Sequence, residues 1–343
     1  MPAVGYVYDP LYLEHDVAGH PESANRLRAI KAHLDESGTI AAMSEVEPRD
    51  ATEGDLLLVH DAQLIERVRR TADQDLDWLD LDTYAVRSSY AAALRSAGGV
   101  LAATDAVTEG DLESAFCLVR PPGHHATPDH AMGFCLFNNV AVAAAHAIER
   151  RGLDRVAIID IDVHHGNGTQ DAFYSDPRVL YFSTHQHPFY PGTGGWQETG
   201  DAEGRGATVN VPLPRGCGDE EYMRSYEAVG VPVVRRFRPQ LLFVSAGFDA
   251  HHADPLAQEM LSVHVYFQIA SQIRQLAEEL CDGKVVYALE GGYDHTAISW
   301  AAQACIDTLL GNDFSPDPIG PAPNVQRPDI EGLLVTIESE HGL

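Results

Sequence analysis

The sequence predicts an α/β fold with a mostly parallel central sheet and helices on both of its faces. Three observations support this prediction. Short runs rich in β-branched residues are almost wholly apolar, these runs alternate with segments of helical periodicity, and 45% of the 343 residues are apolar. Uninterrupted apolar strands are typical of parallel sheets that helices cover on both faces. The chain shows no internal repeat and no low-complexity segment.

Strands are predicted where short apolar runs lie between turn residues, and helices where apolar residues recur every three or four positions. Continuous apolar runs give the strands 115–119, 155–163, 179–183, 241–245 and 284–289. Amphipathic segments between and around them give the helices 22–36, 138–151, 219–237, 258–281 and 296–310.

The same patterns predict one domain over residues 1–312. A Pro-rich linker at 315–328 and a short helix at 329–340 make up a separate tail, residues 313–343. Two irregular segments, 71–84 and 186–206, exceed the usual length of loops inside a compact domain, so we interpret them as functional loops.

Composition excludes some classes of function. Lysine and arginine number 23 against 51 acidic residues, which gives a formal charge of −28. A chain this acidic lacks the basic face of a nucleic-acid binder and attracts cationic or neutral partners. The five cysteines form no Cys-x-x-Cys pair, which argues against a thiolate metal site or a disulfide framework. With no signal peptide or membrane-spanning run in the sequence, we expect a cytoplasmic protein without membrane partners, either monomeric or homo-oligomeric.

Polar and ionisable residues follow five of the predicted strands directly. Ligands of open parallel sheets bind beyond the carboxyl ends of the strands, so these residues mark the predicted site. The segments are RPPGHH at 120–125, DIDVHHGNG at 160–168, STH at 183–185, AGFD at 246–249 and EGGY at 290–293.

Asp162, His164 and Asp249 form a candidate metal site. Alternate residues of a strand share a face, so Asp160, Asp162 and His164 can point the same way, and Asp249 arrives from another strand end. Two carboxylates and one imidazole leave a position open for water and suit Zn²⁺, with Fe²⁺ or Co²⁺ as alternatives. The competing interpretation is that the aspartates cap a turn and His164 is a core histidine. We interpret the run 251–255, HHADP, as a polar loop rather than as further ligands.

The tandem pair His124–His125 can supply a base and an acid near neutral pH. Each ring needs a partner on its other nitrogen, and we expect Asp160 to serve His124 and Asn167 to serve His125. The alternative is an ordinary surface pair. Tyr293 is a further candidate: its phenol can donate to a carbonyl oxygen, and the alternative is an ordinary loop tyrosine. Three aromatic residues can line a narrow channel, although each by itself is more typical of ordinary packing: Phe134, Tyr190 and Trp196.

With these residues assembled, the chain resembles the histone deacetylase superfamily, which includes acetylpolyamine amidohydrolases and acetoin-utilization proteins. It is most similar to the bacterial, class II-like branch. The resemblance implies the arginase–deacetylase α/β fold and runs in the family order from about residue 15 to 310. The segments that carry it are GHPESANRL (19–27), RPPGHHA (120–126), GFCLFNNVAVAA (133–144), DIDVHHGNGTQDAF (160–173), PGTG (191–194), AGFDAHHADPLA (246–257) and LEGGYD (289–294).

The resemblance implies a role for each matching residue. Asp162, His164 and Asp249 match the zinc ligands, and His125 matches the general base and acid that His124 supports electrostatically. Tyr293 matches the residue that polarises the carbonyl. Gly133 matches the residue whose carbonyl accepts a hydrogen bond from the substrate amide, and Phe134 and Tyr190 match the pair that lines the substrate tunnel, although the second of these is more often Phe. Asn167 stands where class I members have Asp, and Arg26 matches an arginine near an inner cavity. Asp82, with Asp80 as an alternative, matches the acid at the rim.

The family also binds structural potassium, partly through backbone carbonyls. Matching positions for one site are Asp160, Asp162, His164, Ser183 and Thr184, and for a second site Phe173, Asp176, Val179 and Ala207.

The implied reaction is hydrolysis of an N-acetyl amide to an amine and acetate. Polyamine-selective members carry a Glu seven residues after the last zinc ligand, where this chain has Leu256, so an acetyl-lysine substrate is favoured. An acetylpolyamine or another small amide stays as the alternative, with Glu198, Asp201 and Glu203 as a substitute source of negative charge. A non-catalytic acyl-binding module is disfavoured because the whole His/His/Asp/His/Asp/Tyr set is present.

Overall fold

The computed structural model describes residues 4–323 and 326–343 of the chain. Its strands are β1 (Val4–Val7), β2 (Ser44–Glu45), β3 (Asp77–Trp78), β4 (Tyr84–Ala85), β5 (Ser114–Cys117), β6 (Val156–Asp160), β7 (Val179–Gln186), β8 (Thr208–Leu213), β9 (Leu242–Ala246) and β10 (Val285–Leu289). Eight of them form one sheet in the order β2-β1-β5-β10-β9-β6-β7-β8, while β3 and β4 pair separately. All neighbouring strands of the large sheet run parallel, which confirms the predicted fold class.

Helices flank this sheet, as its apolar strands require. Helices α1, α10 and α9 pack in succession, and α4 packs on α5. The helices are α1 (Ala24–Glu36), α2 (Glu53–Leu56), α3 (Ala62–Arg69), α4 (Ser89–Glu109), α5 (Asn139–Glu149), α6 (Asn167–Phe173), α7 (Asp219–Ser225), α8 (Val231–Phe237), α9 (Val263–Leu280), α10 (His295–Leu310) and α11 (Glu331–His341). Among the described residues, no helix is both long and apolar enough to span a bilayer.

All predicted strands and helices are present, most of them a few residues shorter than predicted. The predicted helix 219–237 is interrupted by a π-helical segment, Tyr226–Gly230, between α7 and α8. Pro232 explains the interruption, because it has no N–H to continue the hydrogen-bond ladder of the helix.

The longest helix that the sequence analysis missed is α4, with 21 residues. Its sequence is rich in alanine and carries two adjacent glycines, so it shows little contrast between a polar and an apolar face. The structure explains the glycines: a Cβ at Gly98 would lie 1.9 Å from the carbonyl oxygen of Arg49, and one at Gly99 2.7 Å from the hydroxyl of Tyr12. Strands β1 and β8 were missed as well.

The two long segments and the tail follow the predictions in outline. Segment 71–84 contains β3 and ends at β4, whereas 186–206 is irregular apart from the 3-10 turn Ala202–Gly204. The predicted tail helix is present as α11, which packs on the π-helical segment and on β8. Asn324 and Val325 of the predicted linker lie outside the described residues. The division into residues 1–312 and 313–343 stays a prediction.

A buried ion cluster ties the amino-terminal segment to the ends of two central strands. The Glu22 carboxylate accepts hydrogen bonds from Arg26 Nη1 (3.0 Å), Arg120 Nε (2.5 Å) and Arg120 Nη2 (2.8 Å). Arg26 also donates to the carbonyl oxygens of Glu290 and Gly292, both at 2.5 Å. Burial alone would raise the pKa of Glu22, but the charges of Arg120 and Arg26 outweigh it and lower the pKa to about 2.

We predict that Glu22→Gln lowers the free energy of unfolding at pH 7 by about 3 kcal/mol, because it leaves two buried guanidinium groups without their counter-charge. The folded-state pKa of about 2 lies below the ordinary value of 4.5, so this stabilisation is fully present above pH 4.5 and fades as the pH falls toward 2. Urea unfolding of wild type and variant from pH 7 to pH 3 measures the difference.

Glu66→Gln is the matched control, since the exposed Glu66 also pairs with two arginines, Arg69 and Arg70. We expect this control to cost less than about 1 kcal/mol. A Glu22→Gln cost that equals the control, or that stays constant down to pH 3, contradicts the electrostatic role of the cluster.

Candidate active site at the carboxyl edge of the sheet

Asp162, His164 and Asp249 converge at the carboxyl ends of β6 and β9. These strands are neighbours, with Asp160 paired to Ser245, so the loops that follow them leave the sheet side by side. His164 Nδ1 lies 3.1 Å from Asp162 Oδ1 and 3.1 Å from Asp249 Oδ2. One ligand atom from each of the three residues lies within 4.8 Å of the others. Both carboxylates are fully buried, so this group can hold a metal ion.

Backbone amides orient the two ligand carboxylates. Gly291 N donates to Asp162 Oδ2 at 2.9 Å, and Val163 N donates to Asp249 Oδ1 at 3.0 Å. A Cβ at Gly291 would lie 2.1 Å from Asp249 Oδ2 and 2.6 Å from Asp162 Oδ2. Glycine at this position therefore lets the loop after β10 close over both carboxylates.

The tandem histidines lie beside this group, with the partners that the sequence analysis expects. His124 Nδ1 is 3.1 Å from Asp160 Oδ2, and His125 Nδ1 is 2.9 Å from Asn167 Oδ1. The two ring centroids are 4.0 Å apart, and both side chains are buried. Tyr181 also donates its hydroxyl to Asp160 Oδ2 at 3.1 Å, which fixes that carboxylate.

The pKa values of the two histidines move in opposite directions. Burial lowers both, but at His124 the carboxylates of Asp162 and Asp160 outweigh burial and raise the pKa to about 10. At His125 the neighbouring rings of His124 and His164 add to the effect of burial, and the pKa falls well below its ordinary value. The carboxylates therefore make His124 the more basic ring of the pair.

Tyr293 follows two glycines after β10 and lines the same cavity. The Arg26 guanidinium lies 4.9 Å from the centre of the Tyr293 ring, and the Phe134 ring meets its edge at 5.9 Å. Burial raises the pKa of the phenol well above its ordinary value, although Arg26 opposes the shift. Tyr293 is thus a protonated hydrogen-bond donor over the whole physiological pH range.

A cavity of about 230 Å³ opens above these groups. Segment 71–84 lies at the mouth of this cavity, where Thr83 Oγ1 accepts a hydrogen bond from Phe134 N at 3.0 Å. Gly133 has φ +55°, and a Cβ there would lie 2.4 Å from His125 Cδ2, so this position requires glycine. The lining residues include the predicted Asp82, Gly133, Phe134, Tyr190, Leu256 and Tyr293, together with His124, His125 and His164.

Comparison with known proteins shows the family of this chain. The model of the histone deacetylase domain matches residues 20–309. This chain belongs to the histone deacetylase family. A histone deacetylase-like amidohydrolase of Pseudomonas aeruginosa is 40% identical over 331 residues, which cover 96% of this chain and 86% of that protein. A probable deacetylase of Archaeoglobus fulgidus is 39% identical over 315 residues, or 91% and 87% of the two chains. The crystal structure of the HDA15 HD domain superposes with a TM-score of 0.90 at 36% identity and covers 99% of this chain and 94% of that one.

Two functional-site residues of this histone deacetylase family member were not assigned from sequence. Phe189 lines the cavity and stacks on His164, with ring centroids 5.2 Å apart. Glu290 accepts from Gly123 N at 2.6 Å and His124 N at 3.2 Å and so holds the backbone of the tandem histidines. Burial raises the pKa of Glu290 to about 7, although His124 opposes the shift. The position of Glu290 after a strand was the only signal for it in the sequence.

Two of the three aromatic candidates for the channel, Phe134 and Tyr190, line the cavity, and the third does not. Trp196 does not line the cavity and packs instead against the hydrophobic core. Just before it in the chain, the amides of Gly194 and Gly195 donate to the Glu198 carboxylate. Of the two rim candidates, Asp82 lines the cavity and Asp80 does not.

We predict that Gly291→Ala lowers the amount of divalent metal bound per chain at least tenfold and abolishes activity, because the added Cβ overlaps both ligand carboxylates. Gly332→Ala is the control, since a Cβ at that helical glycine meets nothing within 4 Å. Elemental analysis after gel filtration measures the metal. If Gly291→Ala retains the metal content of the control, the close approach of this loop to the carboxylates is wrong.

Proposed function

We propose that this chain is a zinc-dependent deacetylase that hydrolyses the acetyl amide of acetylated amines, with acetyl-lysine side chains as its substrates. The observation that carries this proposal is the convergence of Asp162, His164 and Asp249 next to two buried histidines, His124 and His125, each of which has a partner at its Nδ1. Membership of a family of deacetylases and amidohydrolases supports the reaction class.

The donor set fits the metal. Asp162 and Asp249 are fully buried carboxylates close to each other, and such a pair requires a compensating positive charge. Two oxygen ligands and the Nδ1 of His164 suit Zn²⁺ and also Fe²⁺ or Co²⁺, and three protein ligands leave a position open. When bound, zinc supplies a Lewis acid that polarises the acetyl carbonyl and lowers the pKa of water.

The residues of the chain then divide the proton transfers. Asn167 Oδ1 accepts from His125 Nδ1–H, which leaves Nε2 of the neutral His125 as the base that takes a proton from the attacking water. His125 returns this proton to the amine as the C–N bond breaks, and the products are acetate and a free amine. His124 and the Tyr293 phenol stabilise the negative charge that develops on the acetyl oxygen.

The lining of the cavity favours acetyl-lysine. Phe134, Tyr190 and Leu256 give it apolar walls that suit an alkyl chain. An acetylpolyamine needs an acid close by for its distant ammonium group. The acids named as substitutes, Glu198, Asp201 and Glu203, do not line the cavity, and Asp82, which does, is the rim acid that the family resemblance assigns to the backbone of a peptide substrate.

Potassium ions form part of the proposal as structural cofactors. The buried hydroxyl of Thr184 has no partner among the described residues and supports a cation site there. The ligands of this site are Asp160, Asp162, His164, Ser183 and Thr184. The carbonyls of Phe173, Asp176 and Ala207 each accept one backbone amide and keep a second lone pair, and with Val179 they form the second proposed site.

The cytoplasmic location, the oligomeric state and the lack of nucleic-acid or membrane partners stay predictions from the sequence. One relative, from Arabidopsis thaliana, is named histone deacetylase 14, chloroplastic, and is 39% identical over 325 residues.

We predict that Asp249→Ala abolishes bound zinc and deacetylation together, because it removes one of three ligands. Asp307→Ala, a buried aspartate that bonds Asn312, is the control for loss of a buried carboxylate and retains both properties. Zinc content and acetate release are measured on the same samples. Full activity in Asp249→Ala would refute the metal assignment.

We predict a higher kcat/KM for an acetyl-lysine peptide than for N-acetylputrescine, measured with zinc-loaded enzyme in potassium buffer. Leu256→Glu shifts the ratio about tenfold toward N-acetylputrescine, which corresponds to about 1.4 kcal/mol from one new charge pair. Glu198→Gln leaves the ratio unchanged, because Glu198 is engaged with Gly194 and Gly195. A wild-type preference for N-acetylputrescine would make the small-amide alternative the correct one.

A further inference from the structure

Asp254 connects two loops that line the cavity. It lies five residues after Asp249, in the run that the sequence analysis interprets as a polar loop, and its side chain is 8% exposed. Its Oδ1 accepts from Leu256 N at 2.9 Å. Its Oδ2 accepts from Tyr293 N at 2.6 Å and from Asp294 N at 3.3 Å. One carboxylate therefore spans the loop after β9 and the loop after β10.

We propose that Asp254 is a positioning residue that sets the place of the Tyr293 phenol and that acts on the reaction through Tyr293. This inference rests on the proposed function, in which Tyr293 donates to the acetyl oxygen of the substrate. Asp254 does not line the cavity itself.

The loop before Tyr293 needs such an anchor because it is short of side-chain contacts. Gly291 and Gly292 precede the tyrosine, and Gly292 has φ +115°, a conformation that glycine adopts freely. Arg26 holds this loop from one side through the carbonyls of Glu290 and Gly292. Arg26 does not bind the amide of Tyr293 itself. That amide donates to Asp254.

The chemistry of the anchor requires a carboxylate. Three backbone N–H groups approach its two oxygens, and both oxygens accept. An asparagine has a single acceptor oxygen, and its NH₂ group cannot accept. Because Asn Oδ1 readily bonds the amide two residues on, Asp254→Asn keeps the turn to Leu256 and presents NH₂ to the N–H of Tyr293. Misplacement of a catalytic group by about 1 Å can cost up to 10²-fold in rate.

A double-mutant cycle tests the proposal with Asp254→Asn, Tyr293→Phe and the double variant, all zinc-loaded and assayed with an acetyl-lysine peptide. Tyr293→Phe alone is expected to lower kcat about 10²–10³-fold, as for one lost oxyanion donor. Asp254→Asn lowers kcat about tenfold or more and changes KM less than about threefold. In the Tyr293→Phe background the same change lowers kcat less than about twofold, because the group that it positions is gone.

Asp219→Asn is the matched control. The Asp219 carboxylate also anchors another loop, through Ser262 N at 2.8 Å and Ser262 Oγ at 2.6 Å, and it does not line the cavity. We expect an unchanged kcat for this variant. If Asp254→Asn does not fold, Asp254→Ser is measured in the same cycle, because its shorter hydroxyl serves the turn to Leu256 but does not reach Tyr293.

Three outcomes overturn the inference. An unchanged kcat in Asp254→Asn, with Tyr293→Phe impaired, refutes the positioning role alone. Equal fold losses in both backgrounds show that Asp254 acts through overall structure rather than through Tyr293, and the proposed function stands. Full kcat in Tyr293→Phe refutes the role of that phenol in the proposed function, and the inference falls with it.

Discussion

The parallel pairing of β6 with β9 is the contact on which the rest of the site depends. It brings Asp162 and Asp249, two acids of like charge, to adjacent positions in a fully buried environment. Carboxylates so placed repel each other and lack water, so the surroundings must supply positive charge and N–H donors. The amides of Gly291 and Val163 supply N–H donors from within the protein, and in our proposal a divalent cation held by the two carboxylates and His164 supplies the positive charge.

The same sheet order explains why the other functional groups arrive where they do. Strand β10 lies next to β9, and the loop that follows β10 contains Tyr293. Strand β5 lies next to β10 and is followed by the loop that contains His124 and His125. A carboxylate or a guanidinium group from another part of the chain then holds the backbone of these loops. Glu290 holds the amides of the tandem histidines, Arg26 holds the carbonyls before Tyr293, and the inferred anchor at Asp254 completes this set. The backbone of these loops is therefore held in place independently of the bonds that Asp160 and Asn167 make to the two histidine rings.

The sequence predicts the features that have a local signature. Continuous apolar runs identified the central strands, and the residues just after them included the candidate metal ligands and the histidine partners Asp160 and Asn167. Helix α4 was missed because an alanine-rich helix buried on most sides has no polar face. Glu290 was left without a role, and the channel or packing role of Trp196 stayed open, because contacts between loops far apart in sequence leave no periodic pattern. The sequence alone also does not show that Asp254 bonds an amide 39 residues away.

Zinc titration of chelator-treated protein tests the central claim most directly, namely that Asp162, His164 and Asp249 hold the metal on which deacetylation depends. Acetate release from an acetyl-lysine peptide and the free energy of unfolding are followed at each addition. We expect metal-free protein to be inactive, and we expect both quantities to rise together and level off at one zinc per chain. Acetate release that is already complete without metal, or that rises with no gain in stability, would contradict it.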